Sequence, residues 1–301
     1  MGNIEKTLSL LSLGPRGVGK TVFLAASFRE LEEISSQAKA LKGWLGFNFD
    51  DERSRGNISS LIASIERTGA YPPPTPAVSD FALRLHLGSP PLELGTLCRF
   101  RWQDVPGELC AEWNPQFRSM VMAAHGCCLF VEAPALADTQ KLEAYSNIVD
   151  QAMAIAMLAA NNRLVMPFVV VLTKCDLLEG NAGEESRLHE QLNDLIGSIV
   201  SLVPDCRIVC CQAPIAFLGD QYRLRPSGCS EALLWLMQQT WQAHVGTWPR
   251  QWMGVLRALG QRSNQEAGSL APGLIERLLG GQKLPHSPEG VVRSGLDRNE
   301  P

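Results

Sequence analysis

The sequence predicts a three-layer α/β fold: a mostly parallel sheet with one antiparallel hairpin strand, and helices on both faces. Three observations carry this. Strand-like apolar runs alternate with helix-length ones along the chain. Two of them, GCCLFVEA and PFVVVLT, are apolar almost without interruption, as strands covered on both faces must be. A third, TLSLLSL, passes into the glycine-punctuated loop GPRGVGKT and then into a helix-like stretch.

Taken in order, residues 7–13 read as the first strand and 21–41 as the first helix. GWLGFNF (43–49) is read as an extra strand and 52–67 as an extra helix. FALRLHL (81–87) and LCRFRWQD (97–104) alternate in polarity across a Gly/Pro-rich turn, which predicts an antiparallel hairpin. Between the two apolar strands, residues 139–160 are helical, with Leu142, Ile148, Met153, Ile155 and Leu158 on one face. A charged helix at 184–202 leads to the strand CRIVCC, and a last helix at 231–243 has Ser230 as its expected N-cap. No internal repeat is visible.

From about residue 246 Gly, Pro, Ser and Gln accumulate, so the expected organisation is one domain over 1–245 followed by 246–301. The first carries the strand–helix insertion at about 43–70. The second holds a short amphipathic helix, WPRQWMGVLRAL, and a flexible tail. Trp235, Trp241, Trp248 and Trp252 cluster across the boundary between the two. They either pack the last helix onto the domain or present a partner-binding face.

Composition narrows the classes. The chain is 45% hydrophobic and 19% charged, with a net charge of −4, which gives no reason to expect nucleic acid as a partner. IVDQAMAIAMLAANN is too short and too polar for stable membrane insertion. The nine cysteines form no zinc-type CxxC pair. The adjacent pairs Cys127–Cys128 and Cys210–Cys211 point to opposite faces of a strand, so buried thiols are expected. MGNIEKTLSL lacks the charged and apolar regions of a secretory signal, and a cytoplasmic protein is expected.

Gly14-Pro15-Arg16-Gly17-Val18-Gly19-Lys20-Thr21 matches GxxxxGK[ST] in full, between a strand and a helix. Such a loop curls its backbone N–H groups round a β-phosphate, with helix N-terminal potential behind it. Lys20 is placed for the β- and γ-oxygens and Thr21 for Mg²⁺, with Val22 completing the phosphate-binding segment. In VVVLTKCDLL, Thr173, Lys174 and Asp176 follow a buried strand, at the end where open α/β sheets bind ligands. The Asp176 carboxylate can accept from guanine N1–H and the 2-amino group together, and adenine has neither donor there. The stem of Lys174 can lie along the base. In WQDVPGE, Asp104 is placed to hold Mg²⁺ through water, and Gly107 to offer a backbone N–H to a γ-phosphate.

GPRGVGKT, DVPGE and TKCD, in that order, resemble the G1, G3 and G4 motifs of TRAFAC-class P-loop GTPases, the Ras-like G domain. The resemblance covers roughly residues 6 to 245, and the extra strand and helix before GAYPPPT resemble bacterial double-GTPase-type domains. It implies a three-layer P-loop NTPase G domain that takes GTP and GDP with Mg²⁺. It makes Thr75 the switch I threonine on the metal. Ala213, in Gln212-Ala213-Pro214 instead of Ser-Ala-Lys, becomes the N–H donor to guanine O6. Glu108 stands where Ras-like proteins carry the glutamine that orients water, and Arg16 where they keep glycine. Lys20, Gly107, Glu108 and Arg16 are thus the candidate catalytic residues. Arg16 either stabilises charge in cis, obstructs a partner's finger, pairs with Glu108 or is simply exposed.

The expected function is a slow GTPase switch acting on a protein partner or a second GTPase subunit. A hydrolysis-deficient nucleotide-binding scaffold and a P-loop ATPase or kinase are the alternatives.

Overall fold

In the computed structural model, residues 6–37, 45–73, 79–87, 95–105, 115–137, 142–178, 187–188, 190–192, 194, 197, 199, 201–203 and 205–246 are described. Thr75, Gly107, Glu108, the hairpin turn at 88–94 and everything after 246, with Trp248 and Trp252, lie outside them.

Seven strands form one sheet: β1 (Thr7–Leu13), β2 (Leu45–Phe49), β3 (Ser79–Leu87), β4 (Gly95–Asp104), β5 (Gly126–Glu132), β6 (Phe168–Thr173) and β7 (Cys206–Cys210). Their spatial order is β2-β3-β4-β1-β5-β6-β7. β3 pairs antiparallel with both β2 and β4, and every other pairing is parallel, so β3 alone runs against the rest. The expected single antiparallel strand is therefore present, with the extra strand β2 added outside it. A separate hairpin, β8 (Ile215–Leu218) with β9 (Gln221–Leu224), stands apart from this sheet and was not expected from the sequence.

The helices are α1 (Lys20–Gln37), α2 (Glu52–Thr68), α3 (Pro115–Ala123), the short α4 (Ala133–Ala137), α5 (Leu142–Asn161) and α6 (Cys229–His244), with further helical residues between 187 and 202. The alternation of the strands sorts them into two layers. Leu8, Leu10, Cys128, Phe130, Val169 and Val171 face a core shared with α1, α2 and α6. Leu11, Leu13, Cys127, Leu129, Val131, Val170 and Leu172 face the opposite core, shared with α3, α4 and α5. Each fully buried large side chain contributes about 1.5–3 kcal/mol. The paired cysteines split between the faces as their adjacency required, and all the described cysteines are free. Burial pushes the Cys98 thiol up to about 12, which keeps it protonated and unreactive.

Local chemistry sets the ends of α2. Asp51 caps it by accepting from the Ser54 N–H, and Ile58, Ile62 and Ile65 recur at helical spacing on its buried face. The start of α6 departs from expectation. Gly228 occupies the N-cap position, and Ser230 lies inside the first turn with a buried hydroxyl that has no hydrogen-bond partner among the described residues. The capping acceptor comes from α1. The Glu30 carboxylate receives the N–H groups of Gly228 at 3.2 Å and Ser230 at 2.8 Å. A carboxylate at a helix N-terminus satisfies orphan donors and meets the positive end of the dipole, so the distant Glu30 outcompetes the neighbouring hydroxyl. Trp235 and Trp241, on α6, pack against the same core.

Candidate nucleotide site

The loop between β1 and α1 is held by its backbone. Gly14 has φ +150, and a Cβ there would meet the carbonyl oxygen of Phe130 at 2.8 Å, so the chain passes β5 too closely for a side chain. Val18 donates to the Pro15 carbonyl at 3.4 Å, and Phe23 closes the first helical turn on Gly19 at 2.8 Å. Lys20 is buried, and its ammonium donates to the carbonyls of Gly14 at 3.0 Å and Pro15 at 3.1 Å. Arg16 is exposed at the tip of the turn.

β4 delivers Asp104 to the same place. The register of β1 and β4 sets Ser12 opposite Asp104, and the Ser12 hydroxyl donates to one carboxylate oxygen at 3.3 Å. The Thr21 hydroxyl donates to the other at 2.6 Å. Burial pushes the Asp104 carboxyl above its ordinary value, while Thr21, Lys20 and Ser12 pull it down. A buried carboxylate beside a hydroxyl is a pair of hard oxygen donors, a set that suits Mg²⁺. Among the described residues no cluster of three or more His, Cys, Asp or Glu offers an alternative metal site.

Beyond β6 the chain turns through Lys174 at φ +57 into a short 3₁₀ turn, Cys175–Leu177. The Lys174 ammonium pairs with Glu132, at the end of β5, at 2.8 Å. Asp176 sits in the turn, and Thr173 is buried beneath it. The loop after β7 brings in Ala213, whose carbonyl accepts from the Tyr71 hydroxyl at 2.8 Å. These parts enclose one cavity of about 450 Å³.

A model of the Double-GTPase 2 family matches residues 12–203. The chain belongs to the Double-GTPase 2 family.

Within this Double-GTPase 2 chain, Arg16, Gly17, Val18, Gly19, Lys20, Thr21, Val22, Asp104, Thr173, Lys174, Asp176 and Ala213 all line that cavity. Gly14 and Pro15 meet it through their carbonyls on Lys20. Thr75, Gly107 and Glu108 fall outside the described residues. Three participants carried no motif signal. Ser12 was legible only through strand register, Glu132 through its place at the end of β5, and Tyr71 through no local pattern at all.

The fold of this Double-GTPase 2 chain is similar to the S. cerevisiae Ski7 GTPase-like domain bound to GTP, at 13% identity and a TM-score of 0.44. The match covers 86% of this chain and 51% of that one. The same domain bound to GDP and inorganic phosphate gives 12%, 0.41 and the same coverages. The signal recognition particle receptor SRb-GTP/SRX complex from Chaetomium thermophilum gives 16% identity and a TM-score of 0.38, over 78% of this chain and 98% of that one. The chain thus spans about half the length of the Ski7 chain. Likenesses this remote add nothing to the family assignment. No curated protein matches the chain in sequence.

Proposed function

We propose that the chain binds GTP and GDP with Mg²⁺, hydrolyses GTP slowly in the cytoplasm, and presents its nucleotide state to a protein partner or a second GTPase subunit. One observation carries the reading: Lys20, Thr21, Asp104 and Asp176, drawn from three separate segments, line a single cavity.

At the phosphate end, Lys20 exchanges the Gly14 and Pro15 carbonyls for β- and γ-oxygens, a stronger charge-assisted bond. The loop N–H groups and the first turn of α1 receive the β-phosphate. Thr21, with Asp104 behind it, would hold Mg²⁺, which would supply positive charge against the phosphate oxygens. Ser12 keeps Asp104 oriented. At the other end Asp176 accepts from guanine N1–H and the 2-amino group, Lys174 lies along the base, and the Ala213 N–H meets O6. Lys174 is held for this by Glu132. Thr75 and the Gly107 N–H are the proposed γ-phosphate sensors, so loss of the γ-phosphate releases the surface a partner reads. Among the described residues no helix is long and apolar enough to cross a membrane.

Glu108 favours a second reading, because a carboxylate cannot donate the hydrogen bond that a glutamine amide gives to attacking water. A hydrolysis-deficient scaffold would bind GTP and release no phosphate.

A thermal-shift titration with GTP, GDP, a non-hydrolysable GTP analogue and ATP, with and without Mg²⁺, tests the reading. The native state gains stability by mass action from what it binds. Guanine nucleotides with Mg²⁺ are expected to raise the midpoint and ATP to leave it unchanged. Equal shifts with ATP would remove the guanine assignment.

A further inference from the structure

The guanine end of the cavity has a wall that the nucleotide motifs do not supply. α2 ends at Gly69, in the left-handed conformation with φ +66, and its N–H closes on the Ile65 carbonyl at 2.8 Å. The Tyr222 ring of β9 fills the space beside it, so that a Cβ on Gly69 would lie 2.7 Å from ring carbons. Glu66 pairs with Arg29 of α1 at 3.6 Å and Arg223 of β9 at 3.8 Å. The last turn of α2 is thereby gripped between α1 and the β8–β9 hairpin. Two residues past the Gly69 cap, Tyr71 lines the cavity and donates its hydroxyl to the Ala213 carbonyl at 2.8 Å, across 142 residues of sequence.

Ala213 lies in the middle of a loop held on either side. Gln212 and Ser227 exchange both backbone hydrogen bonds, at 3.0 and 2.9 Å, and the Pro214 carbonyl accepts from the Arg225 N–H at 2.9 Å. The peptide between Ala213 and Pro214 has no N–H, so its carbonyl is the polar handle by which that peptide is oriented. The planes before and after Ala213 meet at its Cα. With the Gln212 side pinned by Ser227 and the far plane pinned through the carbonyl, the direction of the Ala213 N–H is set. Burial and the Asp176 carboxylate push the Tyr71 phenol up, which keeps it a protonated donor at neutral pH.

We propose that Tyr71 is a positioning residue for the nucleobase: by holding the Ala213 carbonyl, its hydroxyl aims the Ala213 N–H at O6 of guanine. This inference rests on the guanine-nucleotide reading above. The strand–helix insertion thus contributes to base selection through one hydroxyl, supplied from outside the nucleotide motifs.

The test compares Tyr71→Phe with the wild type in the full 301-residue chain. Tyr71 is 52% exposed, so a phenyl ring there leaves the core intact, and the thermal midpoint without nucleotide checks this. Release of fluorescent GDP and affinities for GDP and 6-thio-GDP are measured in both proteins, with Tyr222→Phe as a control. Sulfur at position 6 is a weaker acceptor, so the wild type is expected to prefer GDP. Tyr71→Phe is expected to release GDP about five-fold faster, the scale of one neutral hydrogen bond, and to narrow the preference for GDP over 6-thio-GDP. Tyr222→Phe is expected to leave both unchanged. Wild-type release by Tyr71→Phe, or an undiminished preference for oxygen over sulfur, overturns the positioning role. A wild type that binds no GDP overturns the guanine reading itself, a separate result.

Discussion

The Thr21 hydroxyl donates to the Asp104 carboxylate at 2.6 Å, joining the first turn of α1 to the last residue of β4. The bond links the phosphate loop to the strand that leads toward Gly107. A cation seated there must share the hydroxyl oxygen and needs the carboxylate ionised.

The pH dependence follows from the direction of the Asp104 shift. Burial raises its folded value above the unfolded one, so the native state holds the proton more tightly. The contribution of this group to stability is present at low pH and is lost as pH rises through the raised folded value. Mg²⁺ binding must displace that proton. The Mg²⁺-dependent part of the GTP thermal shift is therefore expected to be smaller at about pH 5 than at about pH 7.5. Asp104→Asn removes the titrating group, so it is expected to flatten the pH dependence of the nucleotide-free protein's stability and to abolish the Mg²⁺ increment. An unchanged increment in this variant removes Asp104 from the metal site.

Asp176→Asn replaces an acceptor-only group with an amide that presents donors toward N1–H and the 2-amino group. On the guanine reading one acceptor becomes a donor and the other loses its charge, and the expected drop in GDP affinity is about 10²- to 10³-fold. ATP affinity, measured by competition, should not fall. A parallel loss for both nucleotides would show that Asp176 shapes the pocket without reading the base.

Glu30 is a stability prediction independent of nucleotide. Glu30→Ala leaves the Gly228 and Ser230 N–H groups without their carboxylate and is expected to cost about 2–4 kcal/mol in urea unfolding. Glu30→Gln keeps one oxygen acceptor and is expected to cost about half as much. A cost for Glu30→Ala with none for Glu30→Gln would mean that the side chain's volume, and not its carboxylate, holds α6.

Single-turnover hydrolysis addresses Arg16 and Glu108. Arg16→Ala is expected to slow phosphate release about ten-fold or more if the guanidinium meets charge developing on the γ-phosphate. Glu108→Ala is expected to change the rate while GTP affinity stays within about two-fold, since water orientation is a transition-state interaction. Unchanged rates in both variants remove both residues from the mechanism.

Much of this architecture was legible because its signals are local. β5 and β6 announce themselves as unbroken apolar runs, and GPRGVGKT carries its own strand and helix on either side. The extra strand and helix were legible in GWLGFNF and residues 52–67, which fall on β2 and α2. What escaped is long-range. β8 and β9 are four residues each, and five of these eight residues are exposed, which leaves no periodic pattern to find. Ser230 looked like a cap, but the acceptor arrived from Glu30, 200 residues away. Tyr71 and Ala213 meet only because two excursions from the main fold converge. Local propensity cannot register a contact whose partner is supplied by topology.

The placement of β2 outside β3 has a consequence for recognition. β3 hydrogen-bonds to β2 on one side and to β4 on the other, so its backbone donors and acceptors are spent on both flanks. No incoming peptide can dock by strand addition along β3. Among the described residues the sheet offers open edges only at β2 and β7, each five residues long, and edges that short give a poor template for a pairing chain. The loops and helices are thereby left as the surfaces a protein partner would use, and the short edges disfavour edge-to-edge aggregation.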